Sequence, residues 1–195
     1  MAPLLPTSGN PVSSTFSWTP TAADAGTYVI TFTATDNSGE QAGLQTLCSI
    51  TLRVAAKNQP PNCRTAAPSV TELWPPNHKF RPINVRGVTD PDGDPVTITI
   101  DSIFQDEPVK KHGTGSGNTC PDATGVGTHT ARVRSERGGN PNVPGDGRVY
   151  HIRFTGDDGE GGTCTGEVRV CVPHDQRPRH RCGDQGRLFD STRCP

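Results

Sequence analysis

The sequence predicts an all-β protein of two tandem β-sandwich domains, the first of them incomplete. Three observations carry that expectation. The 22 Gly and 19 Pro among 195 residues interrupt every candidate helix. Hydrophobic content of 30% and aromatic content of 5% are low, which favours many short strands joined by turns over a helix bundle. Stretches of period-two alternation, bounded by Gly, Pro, Asn and Asp, supply the strands themselves.

The first domain is expected over residues 1–56. In "TYVITFTATDNSG", Tyr28, Ile30, Phe32 and Ala34 alternate with Val29, Thr31, Thr33 and Thr35, the pattern of a strand with one apolar face. "LQTLCSITLRV" gives a second strand after a turn at "DNSGEQAG", and "FSWTP" a shorter third whose Trp18 anchors a small core. About three strands fall short of the roughly seven that a sandwich of this kind needs. Open edges and an exposed apolar face favour pairing with another chain, or else the segment is a fragment of a longer repeat protein. A proline-rich linker follows at 57–62, "KNQPPN", where adjacent prolines favour an extended, semi-rigid path.

The second domain is expected over 63–175. Its strand candidates are "SVTEL", "FRPINVRG", "PVTITIDSIF", a weak one near "PDATG", "THTARVRSE", "GRVYHIRFTG" and "TCTGEVRVCV". That number of short antiparallel strands suits a β-sandwich. Residues 176–195 are too polar for a core of their own and are expected to form a tail pinned by cysteines, with Cys182 closing locally on Cys194. Cys164 and Cys171 sit on opposite faces of one strand, about 23 Å apart by strand rise, and should not bond to each other. Seven cysteines make an odd count, so at least one is free or paired between chains if the rest are bonded.

Composition also narrows the setting. The net charge is −1 and the basic residues are scattered apart from the terminal "QRPRHRCGDQGR", so no long basic face exists for nucleic acid. No apolar run approaches the roughly 18 residues of a membrane span. The opening "MAPLLPTSGNP" lacks the basic and long apolar regions of a secretory signal. Cysteines without CxxC or other close metal-ligand spacing favour an oxidising, extracellular location over the cytosol.

"FSWTPTAADAGTYVITFTATDNSG" resembles the C-terminal half of immunoglobulin-like repeats of large bacterial surface proteins, and "DPDGDPVTITI" resembles the calcium-site segment of bacterial cadherin-like repeats. "KNQPPN" is similar to the linkers between such repeats, and "LWPPNHKF", "GRVYHIRFTGDDGEGG" and "VCVPHD" look like motifs of secreted bacterial modules. The resemblance implies tandem immunoglobulin-like/cadherin-like sandwiches serving as spacers, adhesive units or enzyme appendages.

The candidate metal site is "TDPDGDP". Calcium takes six to eight oxygens at about 2.3–2.6 Å, and Asp90, Asp92 and Asp94 at alternate positions can present carboxylates to one side. An EF-hand is excluded, since Asp101 stands where its glutamate belongs and no helices flank the loop. The cadherin resemblance implies further ligands from an early glutamate and the linker, here Glu72, Asn58 and Asn62, with Asp36 a possible contributor. Asp157 and Asp158 in "TGDDGEGG" could build a second site or join the first. The competing reading is plain turn formation, for which Asp, Pro and Gly are the usual residues.

Other constellations are weaker. Trp74 and His78 in "ELWPPNHKF" could stack on and bond a sugar, but a Trp packed against the sandwich edge and a locally satisfied His are the favoured reading. Histidines show no HxH or HExxH spacing. No GxSxG elbow or P-loop is present, and the adjacent pairs Asp106–Glu107 and Asp157–Asp158 cannot face one another on a strand, so enzyme activity is not expected. The expected function is an extracellular structural module of a cell-surface or fibre-forming protein, stiffened by calcium and self-associating by strand complementation. The alternative is a carbohydrate- or surface-binding adhesion module that contacts glycans.

Overall fold

The alternating segments of the sequence become strands, and strand pairing organises the whole computed structural model. It describes residues 8–9, 13–36, 43–110, 119–139, 145–176 and 182–195. The chain forms two units, Met1–Lys57 and Asn58–Pro195, so the division falls at the start of the expected linker. The described residues contain no α-helix and one short 3-10 turn, Ala22–Asp24.

In the first unit, β1 (Gly26–Thr35) and β2 (Gln45–Val54) form an antiparallel hairpin in unbroken register. Directly paired residues share a face, so Tyr28/Leu52, Ile30/Ile50 and Phe32/Cys48 make an apolar side. The opposite side is mostly polar apart from Val29 and Leu47, with Thr31 and Ser49 hydroxyls 2.9 Å apart. The third expected strand does not form: "FSWTP" belongs to no strand among the described residues, and Pro20 has no N–H to give a ladder. Trp18 instead packs edge-on against Tyr28, with ring centroids 4.9 Å apart. The expected turn at 36–43 lies mostly outside the described residues.

The second unit is built from β3 (Ala67–Pro68), β4 (Phe80–Arg86), β5 (Thr97–Gln105), β6 (Ala123–Thr124), β7 (Thr130–Arg134), β8 (Arg148–Asp157), β9 (Thr163–Val172) and β10 (Phe189–Asp190). Two four-stranded antiparallel sheets result, ordered β10-β5-β8-β9 and β3-β4-β7-β6. One core lies between them: Ile100, Ile103, Tyr150, Ile152, Phe154, Val168, Val170 and Val172 from the first sheet meet Ile83, Ala131 and Val133 from the second. Inward residues recur at every second position, as the strand period requires. A bulge between Ile100 and Ser102 shifts the phase of β5 by one residue, so Ile100 and Ile103 both point inward. "SVTEL" is not a regular strand. Its Glu72 makes a parallel bridge to Cys171, docking the segment on the outer edge of β9.

Three disulfides staple this unit: Cys63–Cys164, Cys120–Cys194 and Cys171–Cys182. Cys164 and Cys171 indeed bond to different partners. The expected Cys182–Cys194 bridge does not form: Cys194 bonds to Cys120, 74 residues away, and Cys182 to Cys171 on β9, 11 residues away, because the tail does not close on itself. It crosses the outer face of the first sheet as a strap. Cys182 holds it beside β9, Asp184 meets His151 on β8, Arg187 stacks at 4.6 Å on Phe104 of β5, and β10 pairs with β5. Gly147, at φ 90°, leaves the room that Cys182 fills, since a Cβ there would lie 2.7 Å from its sulfur. The strap explains why β8 is buried on both faces over Arg148–Ile152.

Removal of the long-range staple tests this packing. Cys63 and Cys164 are separated by 101 residues, and a loop of that size restricts the unfolded chain by about 4–5 kcal/mol. The double substitution Cys63→Ala, Cys164→Ala is expected to lower the thermal midpoint by roughly 10 °C or more. An unchanged midpoint in a calorimetric scan would contradict the assignment.

Candidate functional site

The acidic loops sit together at one end of the second unit because the strands that carry them are paired. β5 begins at Thr97, just after Asp90–Asp94, and Thr97 pairs with Asp157 at the end of β8. Val88, Val96 and Cys164 all approach Gly156, closing the sandwich beneath both loops.

Asp90, Asp92 and Asp94 each place a carboxylate oxygen within 4.8 Å of the others, and this is the one such trio among the described residues. Asp90 organises the turn. Its Oδ1 accepts the amides of Asp92 at 2.8 Å and Asp94 at 3.4 Å, and Gly93 takes φ 87° to close the loop. Asp90 Oδ2 is buried without a hydrogen-bond partner. Asp92 turns outward to the linker: the Gln59 amide N–H donates to Oδ2 at 2.6 Å and Gln59 Nε2 to Oδ1 at 2.9 Å.

Asp157 and Asp158 do not join that trio. Asp157 Oδ1 accepts the Gly159 amide at 2.7 Å. Asp158 is buried, its Oδ1 accepts the amides of Glu160 and Gly162, and its Oδ2 accepts Asn58 Nδ2 at 2.9 Å. The Asn58 bond, with those from the Gly162 and Glu160 amides, holds the Asp158 carboxyl below its ordinary range. Asn58 is therefore a donor to a carboxylate, and its carboxamide nitrogen faces the acid loop. Gly162 permits this approach, since a Cβ there would lie 2.8 Å from Pro60 Cα. Asn62 completes the attachment through a backbone bridge to Thr89.

Glu72 is removed from the candidate ligands. Its bridge to Cys171 sets it opposite the Val149 end of β8, about 26 Å of strand from Asp157 at the usual rise. Asp36 belongs to the first unit. The residue that sequence reasoning missed is Gln59, whose two donors engage Asp92. An amide in a linker carries no spacing signature, and only the folded path brings it to the loop.

The other end of the unit holds a buried polar network. Arg148, wholly buried, donates to Asp122 Oδ2 at 2.7 Å and Tyr150 OH at 3.2 Å and reaches Glu107 at 3.2 Å. Burial pushes the Asp122 carboxyl up to about 6 even beside Arg148, and burial likewise pushes Asp106 up to about 6. His78 adopts φ 60°, and its Nδ1 lies 3.0 Å from Oε2 of the fully buried Glu136, which also accepts the Thr119 hydroxyl. Trp74 precedes a cis Pro75 and stays 41% exposed. On the strapped face, His151 is buried with Nδ1 2.9 Å from Glu167 and Nε2 2.9 Å from Asp184. Burial raises the Glu167 carboxyl, yet bonds from His151 and Arg169 draw it below its ordinary range.

Comparison of the chain with protein families, with curated proteins and with solved structures returns no match in any of the three. The three disulfides are bonds of an oxidising compartment and suggest a secreted or extracellular protein. No helix among the described residues is long and apolar enough to cross a membrane.

The two raised carboxyls fix a sign for pH dependence. Asp106 and Asp122 bind a proton more tightly in the folded chain, so their contribution to stability is complete below about 3.8 and is lost as pH rises through about 6. Asp106→Asn is expected to flatten that decline, read as the urea midpoint at steps from pH 4 to pH 7. A variant with the same slope as the parent chain would contradict the burial-driven shift.

Proposed function

We propose that this chain is an extracellular structural module of a cell-surface or fibre-forming protein, composed of immunoglobulin-like/cadherin-like sandwich units. Its acidic loop clamps the linker where it enters the second unit, calcium reinforces the clamp, and subunits associate by strand complementation. The observation that carries the reading is the convergence of Asp90, Asp92 and Asp94 beside a linker already bonded to one of them through Gln59. A mechanical element needs such a junction to resist bending, because an extended linker would otherwise flex.

The donor set fits a hard cation. Three carboxylates supply oxygen, the element calcium prefers, and Asp90 Oδ2 is a buried acceptor lacking a donor. Each carboxylate oxygen has more than one lone pair, so Asp92 can keep Gln59 while also facing a cation. Carbonyls and water complete a shell of six to eight oxygens. Bound calcium would hold the three carboxylates together against their mutual repulsion, and Gln59 would then pin the linker to a stiffer loop.

Calcium at a hundred times its dissociation constant stabilises by about 2.7 kcal/mol, which for a unit of this size is roughly 8 °C. Thermal unfolding of the whole chain should show that rise over chelator, and Asp90→Asn, which keeps an acceptor for the Asp92 amide, should abolish it. Equal midpoints in calcium and chelator would refute the calcium part of the proposal.

The adhesion reading rests on a different observation: Trp74 is 41% exposed and His78, held by buried Glu136, leaves its side chain 45% exposed. An exposed indole offers a face for stacking on a sugar ring. Saturable binding on a glycan array that disappears in Trp74→Ala would favour it, and no binding to any glycan would remove it.

A further inference from the structure

We propose that two copies of this chain join along the open edge of β2, with Cys48 of each copy bonded to Cys48 of the other across a two-fold axis. The inference rests on the assembly reading above and assigns it a specific seam.

The phase of the hairpin singles out this edge. The Asp36 amide donates to Leu44 O at 2.9 Å, which makes Asp36 and Leu44 a hydrogen-bonded pair. The register runs unbroken from Thr35↔Gln45 to Gly26↔Val54. Bonded and non-bonded pairs alternate along an antiparallel ladder, so Phe32↔Cys48 is a bonded pair. The backbone N–H and C=O of Cys48 therefore face β1, while those of Leu47, Ser49 and Thr51 face outward. Among the described residues no strand takes that outer edge.

A second β2, antiparallel and centred on Cys48, satisfies those outward groups. Overlap of residues 45–51 gives roughly eight backbone bonds across the seam. Cys48 then meets Cys48 of the second copy at a non-bonded position, where Cα atoms lie about 4.5 Å apart. That is within the ~4.4–6.8 Å reach of a disulfide, and the two side chains share a face. Elsewhere on the strand the seam brings Thr46 beside Ile50 of the second copy. The sheet becomes β1-β2-β2-β1, with Tyr28, Ile30, Phe32, Ile50 and Leu52 continuous on one side.

Two further facts point to a second copy as the occupant. The other six cysteines are bonded within the chain, and Cys48 is free and exposed. A symmetric edge supplies the missing thiol at the position where it is needed. The hairpin also lacks support of its own: no described residue of the first unit is buried, Leu47 is 67% exposed and Ile50 41%. Isolated two-stranded hairpins are marginal, and three or more strands are needed for independent stability. A one-strand seam buries well under the roughly 800 Å² per partner of a standard interface, so the covalent bond is what makes it persist.

The chemistry balances by exchange with a small-molecule disulfide such as oxidised glutathione. Two Cys48 thiols give up two protons and two electrons to form one S–S bond, and the oxidant is reduced to two thiols.

The test uses the full chain incubated with oxidised glutathione, then intact mass and peptide mapping without reduction. The expected result is a species of twice the chain mass containing a Cys48–Cys48 cross-linked peptide. Cys48→Ser should remove it. Ser49→Pro deletes an N–H that faces the seam and not β1, so it should lower the cross-linked fraction at least tenfold while circular dichroism stays unchanged. Quantitative alkylation of Cys48 in the oxidised chain, or equal cross-linking in Ser49→Pro, would overturn the seam. Large assemblies with alkylated Cys48 would refute this seam and leave the assembly reading standing. Monomers in every condition would refute both.

Discussion

The Cys63–Cys164 bond is the constraint on which the second unit depends. It ties the first residues after the linker to the beginning of β9, beside the loop of Asp157 and Asp158. With the linker's exit fixed there, Asn58, Gln59 and Asn62 reach Asp158, Asp92 and Thr89 without a long search of conformations. The core alone is thin: one inward layer from each sheet, with Ala at two of the positions in the second. Cross-links that restrict the unfolded chain compensate for limited apolar burial.

The two ends of the sandwich are chemically unlike. At the linker end the carboxylates work as acceptors held by amides from turns and side chains, in positions that run from exposed Asp92 and Asp157 to buried Asp158. At the far end Asp106, Asp122 and Glu136 are buried, with Asp122 Oδ1 and Glu136 Oε1 lacking hydrogen-bond partners. Arg148 compensates part of that charge. Buried ionic groups of this kind are costly to desolvate, and their geometry is correspondingly restrictive. The strap adds a third arrangement, in which His151 joins β8 to β9 through Glu167 and to the tail through Asp184. Its two flanking disulfides make the tail part of the sandwich.

Much of the fold was legible because strand alternation is a direct imprint of the sheet. β4, β5, β7, β8 and β9 fall where period-two patterning places them, and β2 and β1 likewise. Arg148 shares the phase of Tyr150, Ile152 and Phe154 in "RVYHIRF", but it was not singled out from the sequence, and its burial is known only from the fold. The failures have physical causes. The apolar residues of "SVTEL", Val70 and Leu73, are three positions apart rather than two, and the segment makes one bridge at the edge of β9 and no regular ladder. The polar strap has no apolar period, so neither β10 nor the pairing of Cys182 with Cys171 and of Cys194 with Cys120 could be read. Asp90, Asp92 and Asp94 were found through their spacing. Gln59 was not, because its role depends on where the linker runs.

Hydrogen exchange at Gln59 and Asn62 tests the central claim most directly, since both amides lie in a linker that would exchange freely if it were only a spacer. The account predicts protection in chelator, from bonds of 2.6 Å to Asp92 and 2.7 Å to Thr89 O, and a further slowing when calcium is added. Exchange at unstructured-peptide rates in both conditions would contradict the claim that the acidic loop clamps the linker.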